Sequence, residues 1–213
     1  MTRSALEVVS RMHTLEFFFD CSSPWTYLAF ENVQPIAARD DVTIVWRPIL
    51  VGGVFNAVND SVYQNRANPV AAKARYYQKD LADWARYTGI QIGQPPVFPV
   101  NSVKAMRGAF VAQEEGCLIP YARRVFHHYW GELEDISQDA ILKPIVEACG
   151  LDSIAFFDKI ASEPYKAKLR RSTEELIERG GFGSPTLFVD GDDMYFGNDR
   201  LVLVEAKLGS SRP

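Results

Sequence analysis

The stretch from Leu15 to Tyr27 narrows the folds open to this chain more than any other. Leu15 to Phe19 is short, apolar and aromatic, which predicts a strand buried on both faces. Within five residues the pattern turns helical. Ser23 can cap a helix, Pro24 suits its first position, and an apolar stripe follows through Trp25, Leu28, Ala29, Val33, Ile36 and Ala37. A central strand therefore delivers the chain into a helix N-terminus beside a serine hydroxyl. Unpaired backbone N–H groups and the positive end of the helix dipole gather there, so the point suits an anion.

The next elements follow from the same rules. Val42 to Arg47 alternates, is β-branched and ends at Pro48, which predicts a second strand. Strand, helix and strand at these lengths make a βαβ unit with parallel strands. Ile49 to Asn59, with Gly52-Gly53 and two asparagines, reads as a connection. Helices are predicted over Ala71–Tyr87 (ended by Gly89), Ser102–Glu115, Tyr121–Trp130, Ser137–Cys149, Ser153–Ala161 and Lys166–Arg179. The three prolines of Gln94 to Pro99 call for an extended segment between the first two. The period then returns to two: Thr186–Val189 and Met194–Phe196 are strands around the Asp190–Asp193 turn, and Asn198 or Asp199 caps a last helix, Arg200–Leu208.

Composition excludes several classes. A net charge of −4 with no long basic run argues against nucleic-acid binding. No apolar run approaches a membrane span. Residues 1–12 hold only a short apolar patch between charges and read as a frayed extension, not a signal peptide. Three widely spaced cysteines, Cys21, Cys117 and Cys149, suggest neither a disulfide framework nor a zinc site, and they fit a reducing, cytoplasmic compartment. His127-His128 matches no triad or metal spacing and reads as packing or surface.

The order βαβ, helical block, αββα, with a proline opening the third strand, resembles an α/β thioredoxin-like fold with an inserted all-helical domain, of the DsbA-like type. The division is then an extension (1–13), a discontinuous thioredoxin-like domain (14–58 and 172–208), a helical insertion (59–171) and a tail (209–213). Thioredoxin-type oxidoreductases carry C-x-x-C at this helix start, where the dipole lowers the first thiol's pKa. Here the four residues are Ser23-Pro24-Trp25-Thr26, and a hydroxyl cannot cycle through a disulfide. Cys21, two residues earlier, reads as a small buried residue. The hydroxyl and helix N-terminus can instead stabilise a thiolate brought by a ligand.

The whole chain from about Leu15 to Leu208 resembles the kappa-class glutathione transferases and, more closely, the 2-hydroxychromene-2-carboxylate isomerases. The resemblance rests on Phe18 to Ala29 near the start, with Phe182-Gly183-Ser184-Pro185-Thr186-Leu187-Phe188 and Phe196-Gly197-Asn198-Asp199-Arg200-Leu201 near the end. It implies glutathione as the cofactor and Ser23 as the active-site serine, donating to the glutathione sulfur. An isolated serine with no adjacent base is itself a weak nucleophile, so the bound thiolate is the better one. Pro24 and Trp25 belong to the same turn. Pro185 is expected to be cis, leaving Ser184 to pair with the tripeptide backbone like an added strand. Asn198 and Asp199 are expected at the γ-glutamyl end, with Arg200 supporting them by a salt bridge. Lys73 is expected at the glycyl carboxylate. Asn59 is the glutathione-contacting asparagine by resemblance, although Asn56 and Asp60 leave its register open. Trp25 and Trp84 are candidates for an aromatic-substrate pocket, and Asn101 and Arg107 for contacts to the substrate itself.

The activity so implied is glutathione-dependent cis-trans isomerisation of 2-hydroxychromene-2-carboxylate and trans-o-hydroxybenzylidenepyruvate in aromatic catabolism, by reversible addition of the bound thiolate. The partners are a small aromatic substrate and glutathione, in a homodimer. A kappa-like transferase acting on electrophilic aromatics is the alternative enzyme. A non-catalytic thiol- or peptide-binding module of DsbA-like fold is the alternative of another class.

Overall fold

The computed structural model describes residues 12–209. Most of the expected extension and the tail beyond Gly209 lie outside the described residues. The first strand, β1 (His13–Phe19), pairs in parallel with β2 (Val42–Pro48) and antiparallel with β3 (Thr186–Val189), which in turn pairs antiparallel with β4 (Asp193–Phe196). The sheet order is β2-β1-β3-β4, the arrangement expected of a thioredoxin-like core. Between β1 and β2 run α1 (Pro24–Asn32) and a short α2 (Gln34–Ala37). The single helix expected there is thus two, broken at Val33. Pro35 cannot donate to the preceding turn, yet the apolar stripe continues across the break through Val33 and Ile36, both buried.

Strand β1 is buried on both faces, as its composition predicts. Leu15, Phe17 and Phe19 point into the main core, whereas Phe18 joins Ile49, Val54, Leu176 and Phe188 in a second cluster. Glu16 shares that second face. It accepts hydrogen bonds from Arg47 Nε and Nη2 at 3.0 and 2.8 Å and from Arg179 Nη2 at 2.7 Å. The Arg179 guanidinium also sits 3.8 Å from the Phe188 ring centre. A carboxylate in a nearly closed layer is tolerable only with partners of this kind.

The Ile49–Asn59 segment corrects the sequence reading. It is not a connection but a helix, α3 (Val51–Val58), followed by another, α4 (Ser61–Ala67). Two glycines weaken helix propensity, but packing overrides it. Val51 and Val54 are buried, and a Cβ at Gly53 would lie 3.3 Å from the Thr173 methyl. The helix start is satisfied from elsewhere: Leu50 N–H donates to Thr173 Oγ1 at 3.0 Å and Val51 N–H to Asp20 Oδ2 at 2.8 Å.

The helical block continues with α5 (Ala71–Thr88), closed by left-handed Gly89 at φ 71°, then α6 (Val103–Glu114) and α7 (Leu118–Phe126). The expected Tyr121–Trp130 helix therefore starts earlier, and its last turn widens into a π turn, His127–Gly131. His127 and His128 there face Glu132 and Glu134. Three more helices follow: α8 (Asp139–Ala148), α9 (Ser153–Ala161) and α10 (Glu163–Glu178). The division placed at residue 172 falls inside α10, and one core runs from Phe17 and Phe30 of the α/β half to Met106, Tyr121 and Phe126 of the helical block. A 3₁₀ turn (Asn198–Arg200) leads into α11 (Leu201–Gly209). Among the described residues no helix is long and apolar enough to cross a membrane.

Candidate active site

The turn after β1 is built as its residues dictate. Ser23 is extended at φ −108°, ψ 123°, and its Oγ accepts from Thr26 N–H at 3.2 Å, with Pro24 opening α1. The same hydroxyl donates to the Ser184 carbonyl at 3.2 Å. The Ser184–Pro185 peptide is cis, as expected. Ser184 Oγ accepts from Asp20 N–H at 3.1 Å and lies 2.8 Å from Thr26 Oγ1. Ser23 and Thr26, the two positions that replace redox cysteines, thus both bond to Ser184, one at its carbonyl and one at its hydroxyl.

Beneath the turn, Asp20 is wholly buried. Its Oδ1 accepts from Ser22 N–H at 2.9 Å, and its Oδ2 accepts from Val51 N–H and from Ser102 Oγ at 3.1 Å. Burial pushes its carboxyl above the usual range, against the opposing pull of these donors. Cys21 is also buried. Desolvation, and then the neighbouring Asp20 charge, hold its thiol far above the ordinary value. A thiol so placed is inert, and its carbonyl serves as acceptor for Trp130 Nε1 at 2.9 Å.

The turn faces a cavity of about 940 Å³ walled by α1, α3, α4, α5, the 98–103 segment and the 182–184 loop. Ser23, Pro24, Trp25, Asn59, Lys73, Asn101 and Ser184 all line it, so seven of the residues singled out from the sequence meet in one place. Asn56 and Asn65 line it as well, whereas Asp60 does not. Asn59 Nδ2 donates to the Phe182 carbonyl at 3.0 Å, which ties α3 to the loop before Ser184. The Trp25 ring meets Tyr77 edge-on at 5.7 Å between centres.

Trp84 and Arg107 do not reach the cavity. Trp84 is on the same helix as the wall residues Lys73 and Tyr77, but seven residues past Tyr77 is about 10 Å along the axis. It packs there against Tyr87. Arg107 sits a turn beyond the wall residue Val103 and donates towards the Ile160 carbonyl at 3.4 Å, with burial lowering its pKa. Neither is a wall residue.

Pro185, Asn198, Asp199 and Arg200 are not wall residues either, although they follow the wall residues Ser184 and Phe196 closely in sequence. The Pro185 carbonyl accepts from Gly197 N–H at 3.1 Å and so links the two end motifs. Asn198 is buried: its Oδ1 accepts from Asn32 Nδ2 at 2.8 Å, while its own Nδ2 is buried without a partner. Asp199 and Arg200 form an exposed ion pair with each other.

Several wall residues were not legible in the sequence. Phe55, Tyr63, Tyr77, Phe98, Phe182 and Phe196 give the cavity an aromatic lining. Arg66 of α4 holds its guanidinium 5.2 Å from the Phe98 ring centre and 5.7 Å from that of Phe55. With Lys73 it gives the wall two cations against the one buried carboxylate of Asp20.

Comparison with known proteins gives the chain its family. Residues 14–209 match the DSBA-like thioredoxin domain family. The chain is similar to a 2-hydroxychromene-2-carboxylate isomerase of Pseudomonas putida, at 32% identity over 92% of this chain and 94% of that protein. It is also similar to glutathione S-transferase kappa 1 of Rattus norvegicus, at 28% identity over 92% of this chain and 90% of the other. Among solved structures, a 2-hydroxychromene-2-carboxylate isomerase superposes with a TM-score of 0.80 at 29% identity, covering 92% of this chain and 95% of that one.

Proposed function

The chain belongs to the DsbA-like thioredoxin family and, within it, to the group of 2-hydroxychromene-2-carboxylate isomerases and kappa glutathione transferases, and we propose that it is a glutathione-dependent cis-trans isomerase of a conjugated aromatic oxo acid. The substrate pair in this reading is 2-hydroxychromene-2-carboxylate and trans-o-hydroxybenzylidenepyruvate. One observation carries it: a helix N-terminus bearing a hydroxyl in place of a thiol opens onto a large aromatic-walled cavity with two cations.

The residues suit the tripeptide. The buried Asn198 amide has an N–H₂ group without a partner, and Lys73 offers a cation on the cavity wall. Bound glutathione supplies a thiolate that adds reversibly to the conjugated double bond and so lets it rotate. Ser23 turns its hydroxyl from the Ser184 carbonyl towards the sulfur and stabilises negative charge there, with the α1 N-terminus behind it. Ser184 offers its backbone to the tripeptide, and its carbonyl becomes free for that purpose once Ser23 lets go. Asn198 and Asp199 hold the γ-glutamyl end and Lys73 the glycyl carboxylate, with Asn59 and Pro24 completing the binding wall. Asn101, Trp25 and the other aromatic residues flank the substrate, and Arg66 attracts its carboxylate. A cytoplasmic homodimer completes the proposal; size-exclusion chromatography tests the assembly.

The test is interconversion of the two isomers followed by absorbance, with and without glutathione. The expected result is turnover only with glutathione, and no net loss of it. Equal rates without glutathione contradict the reading. The similarity to the rat kappa transferase favours a second reading, conjugation of electrophilic aromatics. In that case glutathione is consumed in step with product.

A further inference from the structure

Three helix starts meet at one buried carboxylate. Asp20 accepts from Ser22 N–H immediately before the cap of α1, from Val51 N–H at the first residue of α3, and from the hydroxyl of Ser102, the residue preceding α6. Its backbone is engaged too, with its N–H donating to Ser184 Oγ and its carbonyl accepting from Ser23 N–H at 3.2 Å. The partners come from segments 31, 82 and 164 residues away. Neither α3 nor α6 has a side-chain cap of its own, and the Ser102 hydroxyl points to Asp20 instead. Ser22 N–H, Val51 N–H and the Ser102 hydroxyl all meet the carboxylate as donors, so it acts towards them as an acceptor. The positive ends of the helix dipoles favour negative charge at the same point.

We propose that Asp20 is the positioning residue of the site: it fixes the Ser22-Ser23 turn against α3, α6 and Ser184, and thereby sets the direction in which the Ser23 hydroxyl points. This deepens the isomerase reading and rests on it. Asp20 works through Ser23 and does not touch the reacting atoms. Asparagine in its place presents an N–H₂ group to one of the donors that now meet the carboxylate, and the turn loses an anchor.

The experiment is a double-mutant cycle on isomerase kinetics with Asp20→Asn, Ser23→Ala and both together. In the parent background, Asp20→Asn is expected to lower kcat about 10- to 100-fold, as for one lost hydrogen bond to a charged group, with the glutathione KM little changed. In the Ser23→Ala background the same change is expected to cost less than about threefold, because residues acting as a unit are not additive. A full, additive loss in both backgrounds, or no loss in the parent, overturns the proposal. Circular dichroism monitors folding. If Asp20→Asn does not fold, Ser102→Ala takes its place, with about a 3- to 10-fold loss expected in the parent and none in Ser23→Ala, by the same coupling. A parent without glutathione-dependent turnover overturns the isomerase reading and this proposal with it. An active parent with additive losses removes the proposal alone.

Discussion

The Ser23 hydroxyl and the Ser184 carbonyl oxygen lie 3.2 Å apart, one at the start of a helix and the other beside a cis-proline, 161 residues away in sequence. The contact joins the two motifs from which the site was first inferred. It also leaves Ser23 with its proton on a partner that a peptide-like ligand would claim. In the proposed reading, a tripeptide pairing with Ser184 would release this hydroxyl towards the bound sulfur.

In the proposed complex, Asp199 is predicted to bind the ammonium of glutathione. Asp199→Ala should raise the glutathione KM about 10- to 100-fold, as for loss of a charge-assisted hydrogen bond, and leave kcat at saturation nearly unchanged. Initial rates against glutathione concentration check this. An unchanged KM removes Asp199 from the binding site.

Cys21 should have no part in turnover. Its thiol is buried and shifted far up, so a thiol-alkylating reagent should leave it unmodified in the native protein and label it after unfolding. Cys21→Ala should retain the parent kcat. Rapid native labelling of Cys21, located by mass spectrometry, contradicts this.

Stability at low pH should report on Glu16. It is desolvated, which raises its pKa, but hydrogen bonds and charge from Arg179 and Arg47 outweigh this and hold the carboxyl below 4.5. A carboxyl with a depressed folded pKa contributes stability that is complete above its unfolded value and is lost as the pH falls through the folded one. Glu16→Gln should therefore be less stable than the parent at pH 7, by no more than about 3 kcal/mol since both arginines keep contact with water. The gap should close on acidification below 4.5. Urea melts of both proteins across this range provide the check, and a gap independent of pH contradicts it.

Gly108 should tolerate no side chain. A Cβ there would lie 2.3 Å from both Phe156 Cζ and Tyr121 Oη, which are fixed in the core between α6, α7 and α9. Gly108→Ala is expected to destabilise by about 1–3 kcal/mol through overpacking. At roughly 2–4 °C per kcal/mol for a chain of this size, calorimetry will resolve the shift. An unchanged Tm shows that α6 can move aside.

The α/β half and its site were legible because local signals there agree. Leu15–Phe19 is aromatic enough to be a core strand, Ser23-Pro24 has one natural use, and Ser184-Pro185 opens a buried strand. The helices α3 and α4 were not legible, because Gly52-Gly53 reads as a break and only burial of Val51 and Val54 against α10 reverses it. Missing those helices hid Phe55, Tyr63 and Arg66 from the site. Trp84 and Arg107 show the opposite error. Each has a suitable side chain on a helix that does reach the cavity, but sits too far along it, a distance that residue type does not reveal.

The proposed role of Ser23, favouring the thiolate of a bound glutathione, is read from the ultraviolet thiolate absorbance of glutathione titrated with pH on the parent and on Ser23→Ala. On the parent the thiol pKa of glutathione should lie well below that of the free tripeptide, and in the variant it should move back up, with isomerisation slower by about 10²-fold or more, as for loss of an oxyanion donor. The same pKa and the same rate in both proteins would contradict it.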